Sequence, residues 1–182
     1  SDYIQEKYQL NGIVINNGID EDVFSCNAVL PSQPKVLFSL SQSQDFNESL
    51  NALCKKLDIK FSCANKWENA QTDISQEIKE SDIVVSLGRG AYEGMMAGKY
   101  IIVADKRGYQ GGLSDGGITS DNIHKLIYSN CSGRAFKNTP TMLYMKEEIK
   151  KYNPKQGELN KDYALKNLNL KLQVDKILQL KK

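Results

Sequence analysis

At 182 residues, 40% hydrophobic and 25% charged, the chain has the size and composition of one globular domain, or of one lobe of something larger. A formal net charge of +2, with no basic stripe interleaved with aromatics, argues against a nucleic-acid partner. No apolar run reaches the length of a membrane span and no signal-peptide pattern is present, while Cys26, Cys54, Cys63 and Cys131 show neither CxxC nor zinc spacing. Those features read as a cytoplasmic protein with reduced thiols, no metal and no transmembrane segment.

Residues 1–34 carry no strong period; Asn16-Asn17-Gly18 is a turn signal, and Pro31 and Pro34 bound a linker. Lys35 to Leu40 reads as a buried strand. Asp45 to Leu57 reads as a helix, with Leu50, Leu53, Cys54 and Leu57 at helical spacing. Ile59 to Cys63 is a second strand and Asp73 to Lys79 a second helix. Then come a strand at 83–86, a helix at 91–97, a strand at 100–104 and a loop at 105–120. Asp121 to Tyr128 reads as a helix capped by Ser120 or Asp121. Thr139-Pro140 starts another, because proline is welcome at a first helical position, and Met142, Met145, Ile149 and Tyr152 line its face. A polar break at 153–161 precedes a last amphipathic helix over 162–180, whose wide apolar face calls for a neighbouring lobe or a second copy.

Alternating strands and helices predict an α/β fold: a Rossmann-like open parallel sheet with helices on both faces, plus C-terminal helices. The chain reads as a single lobe: a lead-in segment or linker at 1–34, an α/β core at 35–153 and a C-terminal crossover helix at 154–182. Ligands of such sheets bind at the carboxyl ends of the strands, here the loops Ser41–Asn47, Ala64–Asn69, Ser86–Ala91 and Asp105–Gly117.

Residues 81–117 hold nine of the thirteen glycines and two of the three arginines. Strand, Gly88-Arg89-Gly90 turn, helix and strand is how an α/β sheet builds an anion site, since glycine lets backbone N–H groups approach a phosphate and the helix N-terminus favours negative charge. The three arginines, Arg89, Arg107 and Arg134, fall in or just after this region, and their planar forks suit phosphate. A dinucleotide fingerprint fails at its third glycine, which falls on Glu93, although Asp105 lies 17 residues after Gly88, near the place of a ribose-binding acid. Trp67, at a strand end, could stack on a base or pack as a satellite of the core. Asp20-Glu21-Asp22 spells DxD but follows a turn and reads as polar linker. His124 reads as surface, and Met95 and Met96 as core.

The run GRGAYEGMMAGKYIIVAD resembles the donor-binding half of GT-B glycosyltransferases, closest to the family 4-like group. Ile15 to Asp20 is similar to the segment that opens the C-terminal lobe of these enzymes, and Asp115-Gly116-Gly117-Ile118 to the aspartate-glycine turn after their last conserved strand. The order holds over residues 13–125. The resemblance implies that Glu93 binds the ribose hydroxyls of a nucleoside-diphosphate sugar, and that Gly88 to Ala91 offer backbone N–H groups to its diphosphate. An earlier glutamate of the family is here Val85. The loop after the first strand, Ser39 to Gln44, carries neither the arginine nor the lysine usual there, so the phosphates fall to Arg89, Arg107 and hydroxyls such as Ser41.

The donor site implied is thus Ser41, Trp67, Gly88, Arg89, Gly90, Ala91, Glu93, Asp105 and Arg107. The nucleotide sugar is substrate and no cofactor is needed. The acceptor is a glycan or lipid-linked molecule of cell-surface polysaccharide synthesis, held by an N-terminal lobe expected outside this chain. Peripheral membrane association and self-association are compatible with that picture. Two other classes stay open: a degenerate nucleotide-binding or interaction module without catalysis, and an NAD-type Rossmann enzyme.

Overall fold

A computed structural model describes residues 2–65, 73–107 and 112–180. Two short helices, α1 (Asp2–Lys7) and α2 (Glu21–Phe24), lead into β1 (Val36–Ser39), α3 (Gln44–Lys56), β2 (Lys60–Cys63), α4 (Ser75–Glu80), β3 (Ile83–Ser86), α5 (Arg89–Met96) and β4 (Tyr100–Asp105). There follow β5 (Leu113–Gly117), α6 (Ile123–Tyr128), α7 (Met142–Lys150), α8 (Pro154–Asn167) and α9 (Leu170–Gln179). The sheet order is β2-β1-β3-β4-β5; the first four strands are parallel and β5 runs antiparallel to β4. The α/β sheet with helices on both faces and helices at its C-terminal end is the Rossmann-like arrangement expected.

The two faces of the sheet follow the period-two alternation of strand side chains. Leu37, Ile83, Val85, Tyr100, Ile102 and Ala104 pack on one side, with Phe46, Leu50, Leu53 and Cys54 of α3 and Met145 and Ile149 of α7. Phe38, Val84, Ile101 and Val103 pack on the other, with residues of α4, α5, α6 and α8. Every residue of β3 and β4 is buried, which is why both read as unbroken apolar runs. Because α3 covers one face while α4 and α5 cover the other, the winding reverses between β1 and β3, and their carboxyl ends flank a crevice.

Several expectations are corrected. The 105–120 loop contains strand β5, whose Leu-Ser-Asp-Gly-Gly has little strand propensity; β4 supplies the ladder, across a register irregularity at Val103/Ala104. Pro140 does not open α7: the Thr141 hydroxyl accepts the Tyr144 N–H at 3.2 Å and is the cap. The polar break at 153–161 is the first half of α8, with Asn153 as cap and Pro154 in the first turn. Gln156 and Asn160 can be buried because they are bonded: Gln156 Nε2 donates to Asn160 Oδ1 and Asn160 Nδ2 to the Lys99 carbonyl, each at 3.0 Å.

The single helix expected over 162–180 is accordingly two. The break at Leu168–Asn169 is held by the lead-in segment: Ile19 donates its N–H to the Leu168 carbonyl at 2.8 Å and accepts that of Leu170 at 2.9 Å. Gly18 permits this approach, since a Cβ there would lie 2.8 Å from Leu170 Cα. α8 belongs to the core through Ala164, and Leu168 just after it is buried too, whereas α9 buries only Gln173 and leaves Val174, Ile177 and Leu178 exposed.

Gly157 is where α8 meets the turn between α5 and β4. A Cβ there would strike the Gly98 carbonyl oxygen and come within 2.6 Å of Leu30 Cδ1. Gly157→Ala is therefore expected to cost about 1–3 kcal/mol in urea unfolding, as overpacking does. A gain in stability, the usual outcome for glycine-to-alanine in an exposed helix, would contradict the close docking of α8.

Candidate functional site

The carboxyl ends of β1 and β4 carry a connected set of buried polar side chains. Ser39 Oγ donates to Asn47 Oδ1 at 2.7 Å, and Asn47 Nδ2 donates to the Ser41 carbonyl at 3.0 Å, tying the loop after β1 to α3. The Ser41 hydroxyl donates to Asp105 Oδ1, which also accepts the Lys106 N–H at 2.8 Å. Asp105 Oδ2 pairs with Arg107 Nε. Ser39, Ser41, Asn47 and Asp105 are all buried. Asp105 thus joins the ends of β1 and β4 across β3.

The turn after β3 is shaped by two glycines. Gly88 has φ +58°, the left-handed region that favours glycine, and its N–H donates to the Cys131 carbonyl at 2.9 Å. The Tyr92 hydroxyl adds a second tie to this loop, 3.0 Å from Asn130 Oδ1. Gly90 needs its bareness for contact: a Cβ would strike Ser86 Oγ and lie 2.7 Å from Leu40 Cδ1. The first turn of α5 is therefore seated directly on the ends of β1 and β3.

Not every N–H of the turn is available to a ligand. Gly88 donates to Cys131, and Ala91, wholly buried, donates to the Gly88 carbonyl at 3.1 Å. Among the described residues the N–H groups of Arg89 and Gly90 have no such partner. These two donors, at the positive end of α5, are the ones that the turn itself does not use.

Glu93 lies one turn further on, 6% exposed. Its Oε1 accepts from Arg89 Nε at 2.8 Å, while the Arg89 side chain is largely in solvent. Burial raises the Glu93 pKa above its ordinary value, and Arg89 pulls it back only in part. The structure thus brings together two groups at the sheet's carboxyl edge: Ser41 with Asp105 and Arg107, and the Gly88–Ala91 turn with Arg89 and Glu93. Leu40 against Gly90 links them. Trp67 lies outside the described residues. Asn47 and Ser39 were not singled out from the sequence; small polar residues just past a buried strand were the signal.

Of the set-aside motifs, His124 and the methionines fall where they were expected, whereas Asp20-Glu21-Asp22 is the cap and first turn of α2 rather than linker. Asp20 caps α2 through the Asp22 N–H, His124 is exposed with its ring edge-on to Tyr163, and Met95 and Met96 are core. No disulfide joins Cys26, Cys54, Cys63 and Cys131, and burial pushes the Cys54 thiol up to about 12. Among the described residues no helix is long and apolar enough to cross a membrane, and no group of three acidic, cysteine or histidine residues could hold a metal ion. Comparison with family models, curated proteins and solved structures finds no match for the chain.

A buried carboxylate with a raised pKa costs stability once ionised: the unfolded chain releases its proton first as pH rises. The exposed Arg89 partner offsets little of this. Glu93→Gln is expected to hold or raise Tm near neutral pH. The difference should close as pH falls through the raised pKa toward the ordinary carboxylate range. A lower Tm for the variant at neutral pH would mean that the ion pair outweighs burial.

Proposed function

We propose that the chain is the donor-binding lobe of a GT-B-type glycosyltransferase, taking a nucleoside-diphosphate sugar at the carboxyl edge of its sheet. The observation that carries this reading is a buried carboxylate, Glu93, one turn into a helix whose first N–H groups are open at the sheet's switch point. A fold does not retain an ionisable group in such a place for stability, so a ligand is the natural reason for it. A carboxylate accepts two vicinal hydroxyls, as a ribose presents, and one turn of helix separates it from donors suited to a diphosphate.

On this reading the N–H groups of Arg89 and Gly90 hold phosphate oxygens, and the Arg89 fork swings from Glu93 to the diphosphate when the ribose arrives. Neutralising a departing diphosphate by fixed donors lowers the barrier to sugar transfer. Asp105 holds Ser41 and Arg107 at the rim, where the hydroxyl and guanidinium can meet the sugar or its phosphates. The acceptor glycan or lipid-linked molecule is the concern of a second lobe, and closure of two lobes brings donor and acceptor into line.

A second reading has its own observation. The Arg107 fork is engaged by Asp105, and the loop after β1 has no cation, so the site holds less positive charge than a diphosphate would find ideal. That favours a module that binds a nucleotide without transferring a sugar.

Calorimetry with UDP, GDP and ADP tests the shared core of both readings. At least one diphosphate is expected to bind. Glu93→Gln should weaken it by roughly tenfold to a hundredfold, the value of a hydrogen bond to a charged group, with the fold intact. No heat with any of the three, or an unchanged affinity in the variant, contradicts nucleotide binding at α5. Sugar release from the matching nucleotide sugar then separates transferase from binding module.

A further inference from the structure

A cavity of about 370 Å³ lies along β5, away from the donor crevice: Ser41, Gly88, Arg89, Glu93 and Asp105 are absent from its lining. Its walls come from β5, the first residue of β4, the segment after β5, α7 and the start of α8. That volume is in the range of small-molecule sites.

Three oxygen atoms converge on the bare backbone of Gly116-Gly117. A Cβ on Gly116 would lie 2.7 Å from Glu148 Oε2 and 2.8 Å from the Tyr144 hydroxyl, and one on Gly117 would strike the Tyr100 hydroxyl. Glu148 is 5% exposed, and each of its oxygens accepts one hydrogen bond from a described residue: Oε2 from the Gly117 N–H at 2.8 Å and Oε1 from Lys151 Nζ at 2.6 Å. Each carboxylate oxygen therefore keeps a lone pair. The Tyr100 residue is 2% exposed, and its hydroxyl makes no hydrogen bond among the described residues. That hydroxyl opens on the cavity and is available to an occupant, while Asp115 Oδ2 on the same lining is buried without a hydrogen-bond partner, which in a native fold calls for a ligand or ordered water. Burial, then Glu148 and Tyr144, push this phenol up to about 12, so it stays protonated at neutral pH and can donate.

The chemistry of the lining narrows the occupant. Among the described residues its one cation, Lys151, is already paired with Glu148, and Asp115 adds a second acid, so a phosphate is disfavoured. The side-chain amides of Asn122, Asn138, Asn153 and Gln156 make the wall too polar for an apolar ligand. Carboxylate, amides and phenols, with charge nearly balanced, are the partners of hydroxyl groups. We propose that this cavity binds a neutral saccharide unit, with the Tyr100 hydroxyl and the Glu148 carboxylate as its central hydrogen-bonding pair. The site does not depend on the donor reading, because it shares none of that site's residues.

Saturation-transfer NMR of the full chain tests it, with methyl glucoside, methyl galactoside and N-acetylglucosamine as probes at tens of millimolar. At least one sugar should bind and shift the backbone amides of Gly116 and Gly117. Tyr100→Phe keeps the ring and is expected to weaken binding about three- to tenfold at unchanged Tm, while Glu93→Gln leaves it alone. The proposal is overturned if none of the sugars binds, if the shifts fall elsewhere, or if inorganic phosphate displaces the sugar. Indifference to Tyr100→Phe in a folded variant overturns it equally. Diphosphate binding at α5 is read separately in the Tyr100→Phe protein, so failure of either site leaves the other standing.

Discussion

The arrangement depends on one contact: Gly90 of α5 resting on Ser86 and Leu40 with no side chain between them. Any Cβ would push the helix N-terminus away from the ends of β1 and β3. The same face continues at Gly94, where a Cβ would lie 2.6 Å from Ile101 Cδ1 and 3.3 Å from Val84 Cβ. Gly98, at φ +73°, then turns the chain into β4, and its carbonyl receives the close approach of Gly157 from α8. Three glycines at intervals of four residues thus lay one helix flat on the sheet and give α8 a place to dock. The open N–H groups of Arg89 and Gly90 are held in position by that packing. That packing fixes the first turn of α5 on the sheet, and preorganisation of this kind limits the entropy cost of the binding proposed there.

Charge is distributed by the same logic. Two arginine–carboxylate pairs sit at the carboxyl edge, and in each the acid is buried while the base is more exposed. The acids are held in the fold's interior, and the bases reach them from the more exposed side. Along β5 the order is similar, with Glu148 buried and Lys151 exposed. Lys99 is a different case. It is buried, its amine donates to the Lys79 carbonyl at 2.7 Å, and desolvation lowers its pKa; it ties β4 to α4.

Most of the core was legible because it rests on local pattern. β3 and β4 are apolar runs bounded by turn residues, and α3 shows its helical period in Leu50, Leu53 and Cys54. What was not legible depended on partners distant in sequence. β5 is a strand because β4 offers a ladder and Asn138 bridges Ser114 on its other edge; Leu-Ser-Asp-Gly-Gly says nothing of this alone. The start of α8 looked like a linker because Gln156 and Asn160 are polar, and only the carbonyl of Lys99 explains their burial. The α8–α9 break needs Ile19, far back in the chain. At the candidate site the glycine turn and Glu93 stood out from spacing. The capture of the Gly88 N–H by Cys131 did not, since it depends on a loop more than forty residues later.

The most direct test of the donor site is to follow the backbone amide resonances of the isotope-labelled chain through a titration with UDP, GDP or ADP. The expected result is a saturable shift centred on the amides of Arg89 and Gly90 and extending to Glu93, with Gly88 and Ala91 less affected because their N–H groups are already bonded. Shifts confined to residues around β5, or none at saturating nucleotide, would contradict a phosphate site at the start of α5.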